Sequence, residues 1–452
     1  MLVLAAALRL PGLRYGLPYP LLNPDEESIV PRGWELVHGG GLDPGWYDYP
    51  SLLLGLLAPV QAFFGEPSYG AARVVAALVG IGGVGAAWWL GRVAYGTRAA
   101  IVGAAAVAVA TVHVAYSHVA VTDVLLTTLV TVSLALLLRG RLEWAGLVAG
   151  LAASAKYPGI FLAAPVVAVG WAQWRRLAVS AALGTLAFVL TSPFVVWHAG
   201  AAWADISRVQ RLGSEGWLGF EHDHATPIAF LDRLWESLGP FLAVGLLGLA
   251  LALRGLVRNE HKPRLRRADL ALAVFALVYF AYLLTLAAHH DRYVLPLVPV
   301  LGVLAGRVRR LVPIALALLV VPLAWSVGDV RGLTRTDTRL VAREWVETHV
   351  PRSAGVAVDP STAPVEAARV LALELPGPGR PVDPDRDVVR LRAEGIDYVV
   401  VTGAVADRVL AARERYPAEA RFYDELESTA TRLFRAEPGG RLAGPWVAVY
   451  RL

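Results

Sequence analysis

The sequence predicts a mainly α-helical protein, a polytopic membrane helix bundle that ends in a small α/β domain. Three observations lead to this fold class. Hydrophobic residues make up 56% of the 452 residues, whereas charged residues make up only 17%. Long apolar stretches recur as far as residue 330, and basic residues gather in alternate loops between them. This composition is too apolar for a soluble globular protein and indicates a membrane protein with many spans.

The apolar segments have about the length that a membrane helix needs, which is about 20 residues. They lie at residues 70–91, 99–116, 123–138, 142–156, 159–173, 177–196, 237–253, 269–287, 293–306 and 311–327. Residues 1–10 add an apolar stretch that is about half a span long. We therefore expect about 11 spans. We also expect that the first span is truncated or that its start codon is misassigned.

Charge separates the loops into two sets. Basic residues mark the loops that follow residues 91, 138, 173, 253 and 306, whereas Asp and Glu dominate the remaining loops. Since basic loops stay in the cytoplasm, the acidic loops are expected outside a prokaryotic cell (inner) membrane. The alternation also favours an interfacial helix at 51–64, within an outer loop at 14–69, because another span there would place the basic loops on both sides.

The composition changes after residue 330, so the predicted domains are a membrane domain at 1–330 and a soluble extracytoplasmic α/β domain at 331–452. An amphipathic helix from Asp337 to Val350 opens the second domain. Short strands are predicted at 356–358, 398–401 and 446–450, and helices at 363–374, 386–395, 404–415 and 417–434.

An acidic motif lies in the first outer loop, at Asn23-Pro24-Asp25-Glu26-Glu27. A helix that begins here explains Asn23 as its N-cap, Pro24 as its first residue and Glu26 as a capping-box partner. Asp25 has no structural role in that explanation. A carboxylate held near the unpaired N–H groups of a helix start stays ionised, so Asp25 is a candidate general base. Helix capping alone is the alternative for the whole motif.

Three further charged residues lie at predicted outer ends of spans. Asp123 begins a span and is either a functional carboxylate or a helix N-cap. Lys156 is one of only two lysines in the chain; it either binds a phosphate or extends toward the membrane surface. Arg292, in His289-His290-Asp291-Arg292-Tyr293, is suited to bind phosphate or pairs with Asp291 at the interface. Carboxylates and cations on one membrane surface suit a reaction in which a hydroxyl is deprotonated while a phosphate leaves.

The sequence gives weak indications of a cofactor. The run Glu221-His222-Asp223-His224 has a spacing that can bind metal, so a divalent metal is considered, although an exposed loop is the simpler explanation. The chain has no cysteine, which excludes a disulfide, a thiolate nucleophile and a Cys-ligated zinc site.

Several motifs together resemble the family 39 glycosyltransferases of GT-C fold, which include protein O-mannosyltransferases and the lipid A aminoarabinose transferase. They are Gly16-Leu17-Pro18, Asn23-Pro24-Asp25-Glu26, Tyr49-Pro50, Ala115-Tyr116-Ser117, Val121-Thr122-Asp123, Ala155-Lys156-Tyr157-Pro158-Gly159 and Arg292-Tyr293-Val294-Leu295-Pro296. The resemblance implies a polyprenyl-phosphate sugar donor and inversion at the anomeric carbon.

The resemblance also implies roles for individual residues. The catalytic residues would be Asp25 as the base, Glu26 beside it in the acidic motif, and Asp123, which matches the family's second-loop acidic residue. The donor phosphate would be bound by Lys156, Tyr157, Arg292 and Tyr293. The acceptor would be a hydroxyl of a protein, a lipid or a glycan at the lipid bilayer, and no nucleic acid is expected as a partner.

Two alternatives belong to other functional classes. A transporter or flippase of lipid-linked saccharides would carry charged residues or broken helices near the middle of the bilayer. The predicted spans are nearly free of such charges, which favours the transferase. A non-catalytic receptor at the outer surface would be favoured only if Asp25 proved unimportant.

Overall fold

The computed structural model describes residues 1–258 and 262–452, which form two compact units. The first unit contains Met1–Leu13, Asp25–Arg211 and His224–Val330. The second contains Arg14–Pro24, Leu212–Asp223 and Arg331–Leu452. Two short segments of the long loops therefore belong with the C-terminal residues.

The first unit is helical. Its helices are α1 (Leu2–Arg9), α2 (Asp25–Glu35), α3 (Leu52–Gln61), α4 (Tyr69–Ala94), α5 (Thr97–Val109), α6 (Thr111–Tyr116), α7 (Thr122–Leu138), α8 (Leu142–Ala155), α9 (Ala163–Gly170), α10 (Trp174–Thr191), α11 (Pro193–Trp197), α12 (Ala199–Glu215, which continues into the second unit), α13 (Thr226–Leu238), α14 (Phe241–Arg258), α15 (Pro263–Leu283), α16 (Leu297–Arg307), α17 (Val312–Leu318) and α18 (Val320–Gly332). Short 3-10 turns lie at Tyr157–Leu162, Trp171–Gln173, Asp291–Val294 and Arg309–Leu311.

Three helical stretches of the described chain are long and apolar enough to cross a membrane, at Tyr69–Ala94, Phe241–Arg258 and Arg309–Gly332. Five shorter apolar helices accompany them. The multi-pass character agrees with the sequence prediction, but the count of about 11 spans is not confirmed. Three predicted spans are divided by short breaks in the helix, at Ala110, at Ser192 before Pro193, and at Leu319.

The predicted span at 99–116 shows how such a break is stabilised. α5 ends where Ala110 adopts an extended conformation, and α6 starts directly after it. The fully buried guanidinium of Arg9 donates hydrogen bonds to the carbonyl oxygens of Val107, at 2.8 Å, and Ala108, at 3.0 Å. Carbonyl groups at a helix end lack intrahelical partners, so Arg9 supplies the donors that a break inside an apolar unit requires.

Helices α8 and α10 approach each other closely through glycines. A Cβ atom on Gly150 would collide with the carbonyl group of Gly184 on the facing helix. Small residues at helix contacts are typical of membrane bundles because they let backbones approach. The close contact fixes α8, and with it the position of Lys156, which follows the helix directly.

The second unit contains a five-stranded sheet with the strand order β3-β2-β4-β7-β5. Its elements are β1 (Thr336–Asp337), α19 (Thr338–His349), β2 (Gly355–Val358), β3 (Arg369–Ala372), α20 (Val388–Ala393), β4 (Tyr398–Thr402), α21 (Gly403–Ala411), α22 (Pro417–Thr429), β5 (Thr431–Ala436), β6 (Leu442–Ala443) and β7 (Val447–Arg451). Strands β2, β3 and β4 are parallel, whereas β7 pairs antiparallel with β4 and β5; β1 and β6 form a separate parallel pair.

The side chains of the central strand, β4, alternate between two hydrophobic cores. Val399 and Val401 of β4 pack in one cluster with residues of α20, α21 and α22. Val400, between them, packs in the other cluster with Ala342 and Val346 of α19. Successive side chains of a strand point to opposite faces, so an uninterrupted run of valines indicates a strand that is buried on both sides.

Two secondary-structure predictions for this unit are wrong. Residues 363–374, predicted as a helix, contain strand β3, which pairs with β2. The predicted helix at 417–434 ends at Thr429, and strand β5 follows. In both places pairing with a neighbouring strand outweighs the local helical preference, an effect that a single segment does not reveal.

Candidate active site

Asp25 is the first residue of α2 and binds two groups from distant parts of the first unit. The hydroxyl of Tyr49 donates a hydrogen bond to its Oδ2 atom at 2.9 Å. The Nη1 atom of Arg292 forms an ion pair with the same oxygen at 2.6 Å. The carboxylate that the sequence analysis assigned as a base therefore meets a cation from the late motif that was assigned to phosphate.

Asp123 and Lys156 form a second ion pair. The Nζ atom of Lys156 lies 2.6 Å from Oδ1 of Asp123, and both side chains are buried. The Oδ2 atom of Asp123 is also buried and has no hydrogen-bond partner among the described residues. Leaving a buried carboxylate oxygen without a donor is unfavourable, so this oxygen can accept a hydrogen bond from a hydroxyl group of a bound molecule.

Two tyrosines connect the pairs. The Lys156 ammonium lies 5.5 Å from the ring centre of Tyr49 and 5.3 Å from that of Tyr293. The guanidinium carbon of Arg292 lies 5.9 Å from the Tyr293 ring centre. We call Asp25, Tyr49, Asp123, Lys156, Arg292 and Tyr293 the paired-charge cluster. It contains five of the seven predicted site residues, together with Tyr49, to which the sequence analysis assigned no role.

The two cations of the cluster help to keep Asp25 ionised. Burial would raise the pKa of the Asp25 carboxyl, but the Arg292 charge, hydrogen bonds from Tyr49 and Arg292, and the Lys156 charge hold it below the ordinary value. Burial and the charges of Arg292 and Lys156 lower the pKa of His290 to about 3. The neighbouring imidazole is therefore neutral at physiological pH.

Glu26 does not belong to the cluster. Its carboxylate is fully buried and pairs with Arg73 of α4, with Oε2 lying 2.7 Å from Nη2. Its Oε1 atom also accepts a hydrogen bond of 2.9 Å from the backbone N–H of Ala120. Glu26 thus connects α2, which carries Asp25, to α4 and to the loop that leads into Asp123. This geometry supports a positioning role, in contrast to the catalytic role assigned to it from the motif.

Replacing Glu26 with Ala should destabilise the protein by about 3–5 kcal/mol, because the buried guanidinium of Arg73 would lose its counter-charge. The free energy of unfolding in a denaturant titration measures this effect. Glu27→Ala is the matched control, because Glu27 is the next residue of α2 and is exposed. Equal stability of the two variants would contradict a structural role for the buried pair.

Tyr157 lies next to the cluster in sequence but makes a different contact. Its hydroxyl donates to the backbone carbonyl of Tyr47 at 2.8 Å. The backbone N–H of Tyr47 in turn donates to Asp205 at 3.0 Å, and Arg208 pairs with Asp48 at 2.5 Å. Tyr157 therefore orders the loop before Tyr49, and no contact in the structure joins it to Lys156 or Arg292.

The structure offers little to a metal ion. Within residues 1–258 and 262–452, no three or more His, Asp or Glu side chains gather in a way that could hold one. Of the predicted His-x-His run, His224 pairs with Asp232 at 2.8 Å, whereas His222 contacts the carbonyl oxygen of Ala411 at 3.0 Å. The two histidines thus have separate partners.

A largely apolar groove of about 860 Å³ lies between α8, the turn at Tyr157–Leu162, α9 and α10. Tyr157, Ile160 and Val167 line it on one side, and Trp174, Ala178 and Phe188 of α10 line it on the other. Tyr157, one of the lining residues, directly follows Lys156 in the chain. A groove with this lining suits a hydrocarbon chain.

Comparisons with known proteins identify the family and the fold of the chain. The model of glycosyltransferase family 87 matches residues 46–285, which is more than half of the chain. No curated protein matches significantly.

Solved structures share the fold at low sequence identity. ArnT from Cupriavidus metallidurans in the apo state matches with a TM-score of 0.58 and 16% identity over 95% of this chain and 93% of that one. ArnT bound to undecaprenyl phosphate gives 0.57 and 16% over 99% and 96%. The oligosaccharyltransferase of Archaeoglobus fulgidus, in complex with Zn and sulfate, gives 0.57 and 14% over 97% and 71%.

These similarities support a GT-C glycosyltransferase, while membership of family 39 and a mannosyltransferase specificity are not confirmed. Because the family model covers more than half of the sequence, the chain belongs to glycosyltransferase family 87.

Proposed function

We propose that this protein transfers a sugar from a polyprenyl-phosphate donor to an acceptor hydroxyl, with inversion and with Asp25 as the general base. The observation that carries the proposal is the paired-charge cluster, in which two carboxylates and two cations meet in a partly buried site. The reaction would take place at the outer face of a prokaryotic inner membrane, with residues 331–452 outside the cell. The acceptor is a hydroxyl of a protein, a lipid or a glycan.

Three charged residues of the cluster have roles in this reaction. The acceptor oxygen attacks the anomeric carbon from the face opposite the phosphate, so that the new C–O bond forms as the bond to the phosphate oxygen breaks. Asp25 accepts the proton of the acceptor hydroxyl. Lys156 and Arg292 stabilise the second negative charge that develops on the departing polyprenyl phosphate. This leaving group is a weak base and needs no proton donor.

The ion pairs also explain how donor binding prepares the base. In the structure, Arg292 is paired with Asp25 and Lys156 with Asp123. A donor phosphate competes with the carboxylates for both cations. When Arg292 turns to the phosphate, Asp25 loses its strongest counter-charge and becomes a better proton acceptor. The base is thus activated when a donor is present.

A similar protein supports the choice of donor, since one of the ArnT structures is bound to undecaprenyl phosphate. We propose that the apolar groove beside Tyr157 receives the polyprenyl chain. The chain would enter the groove near Lys156 and extend along α10 toward Trp174. A donor held by its own lipid reaches the site from the bilayer and requires no soluble nucleotide sugar.

Replacing Ala178 with Trp should raise the KM for a long-chain donor several-fold, because the indole would fill the groove at a distance from the phosphate site. A donor with only two isoprene units should be used as well as by the wild type, since its chain would not reach residue 178. Kinetics with both donors measure the difference. Val179→Trp is the matched control, because Val179 is the next residue of α10, is exposed and does not line the groove. Equal effects of the two variants would oppose this placement of the chain.

The proposed activity is tested by incubating the purified protein with radiolabelled polyprenyl-phosphate sugars and, separately, with nucleotide sugars. We expect transfer from the lipid-linked donors only, and we expect NMR of the product to show an inverted anomeric configuration. Transfer from nucleotide sugars alone would overturn the proposed donor, and a retained configuration would overturn the direct role of Asp25.

A further inference from the structure

A second cavity of about 380 Å³ lies in the first unit, outside the paired-charge cluster. It is lined by side chains from α6, α13, α18 and the 3-10 turn at Asp291–Val294: Thr111, Trp235, Glu236, Asp291, Trp325 and Asp329. The size is within the range of small-molecule sites. Indole rings and carboxylates together form its wall, whereas the lining of the other groove includes no carboxylate.

The two indoles are accessible and have no polar partner. Trp235 is 49% exposed and Trp325 is 40% exposed. Neither ring stacks on another aromatic ring of the described chain, and neither indole N–H donates to a described residue. Membrane proteins often place tryptophan at the interface, but these two rings face one cavity together with carboxylates. Each ring therefore offers both an apolar face and an unused donor.

The carboxylates provide acceptors at the same place. Asp291 uses only Oδ1 in the protein, accepting from the Tyr116 hydroxyl at 2.8 Å and from the Arg292 N–H at 2.7 Å. Its Oδ2 atom accepts no hydrogen bond from the part of the chain that is described. Asp329 has neither a hydrogen bond nor an ion pair there. Glu236 is already paired with Arg233 at 2.7 Å, so the acidic field of the cavity is partly neutralised.

We propose that this cavity binds a pyranose ring of a saccharide. The C–H face of a sugar ring is apolar and can stack on an indole, while its hydroxyl groups donate to carboxylates and accept from indole N–H groups. An organic ammonium ion is the competing ligand, because indoles and carboxylates also attract cations. An ammonium ion has no acceptor atom, however, and would leave both indole N–H groups unpaired. A hydroxylated ring satisfies both kinds of group.

The position of the cavity indicates which saccharide it would bind. Asp291 lines the cavity, and the next residue, Arg292, contacts Asp25. A sugar ring held against Asp291 would be close to the proposed base, as expected for part of an acceptor glycan. The acceptor role rests on the proposed function, whereas saccharide binding in the cavity does not. Among the possible acceptors, the cavity therefore favours a glycan over a protein or a simple lipid.

Binding can be measured without turnover in the Asp25→Asn variant, reconstituted in lipid nanodiscs to avoid sugar-based detergents. The probes are methyl hexopyranosides and, separately, tetramethylammonium, observed by saturation-transfer NMR. We expect saturable binding of at least one pyranoside. The substitutions Trp235→Ala and Asp329→Asn, each made in this background, should weaken it by about fivefold or more. Trp144→Ala is the control for the loss of an exposed indole, because Trp144 is 56% exposed and lies outside the cavity.

The outcomes separate this inference from the proposed function. Binding of tetramethylammonium alone would overturn it, as would pyranoside binding that both cavity variants leave unchanged. Thermal unfolding of each variant shows whether a loss of binding reflects a loss of folding, and Asp329→Asn is a conservative exchange at an exposed position. In the transfer assay, Asp329→Asn in the otherwise wild-type enzyme should raise the KM for a glycan acceptor and leave the KM for donor unchanged. If the wild type transfers no sugar, the proposed function is wrong. The binding measurement still shows whether the cavity binds a saccharide.

Discussion

Replacing Asp25 with Asn should lower the rate of sugar transfer by about 10²–10⁴-fold, the usual contribution of a general base. The amide has the shape of the carboxylate and can still accept hydrogen bonds from Tyr49 and Arg292, but it cannot take the proton of the acceptor hydroxyl. The rate of transfer of a radiolabelled sugar from a polyprenyl-phosphate donor measures this loss. The binding of donor should be retained or strengthened, because Arg292 would no longer be neutralised by a carboxylate.

Glu27→Gln is the matched control for this substitution. It removes one carboxylate from the first turn of the same helix and therefore has a similar effect on the helix dipole, but Glu27 is exposed and does not contact the cluster. We expect it to transfer sugar at nearly the wild-type rate. Equal rates for Asp25→Asn and the wild type would remove Asp25 as the base, whatever the result for Glu27.

The charged members of the site could be predicted from the sequence because charges are conspicuous at the ends of apolar segments. Asp123 and Lys156 stand out in this way, and the acidic motif places Asp25 at a helix start. Their pairing could not be predicted, since Asp25 and Arg292 are 267 residues apart and only the packing of the helices brings them together. The role of Glu26 could not be predicted either, because the sequence does not distinguish a helix-capping residue from a buried partner of Arg73.

The fold, like the site, could be predicted where a segment's own sequence determines its structure, and could not be predicted where contacts with distant residues do. The apolar segments predict helices and the valine run of β4 predicts a strand, in each case from the segment's own residues. The break at Ala110 carries no proline or glycine at that position, and it depends on donors that Arg9 brings from a separate helix. Strand β3 likewise depends on its pairing with β2. Tyr49 had no predicted role because a tyrosine in a loop rich in aromatic residues gives no signal until the position of Asp25 is known.

Replacing Arg292 with Ala should lower kcat/KM for transfer by about 10²–10³-fold, the range seen when one group that stabilises a transition-state charge is removed. The loss should appear both in donor binding and in kcat, because the charge on the phosphate grows as the sugar leaves. Arg292→Lys should retain part of the activity, since an ammonium keeps the charge but cannot bind the phosphate bidentately. Arg98→Ala, at an exposed arginine away from the cluster, is the control.

The double variant Asp25→Asn with Arg292→Ala tests whether the two residues act together, as the proposed sequence of events requires. If donor binding releases Asp25 from Arg292, the two residues act in one step, and the loss in the double variant should be smaller than the product of the single losses. Two independent contributions would multiply. A multiplicative loss would show that Arg292 stabilises the phosphate without controlling the base, and it would remove the proposed activation of Asp25 by the donor.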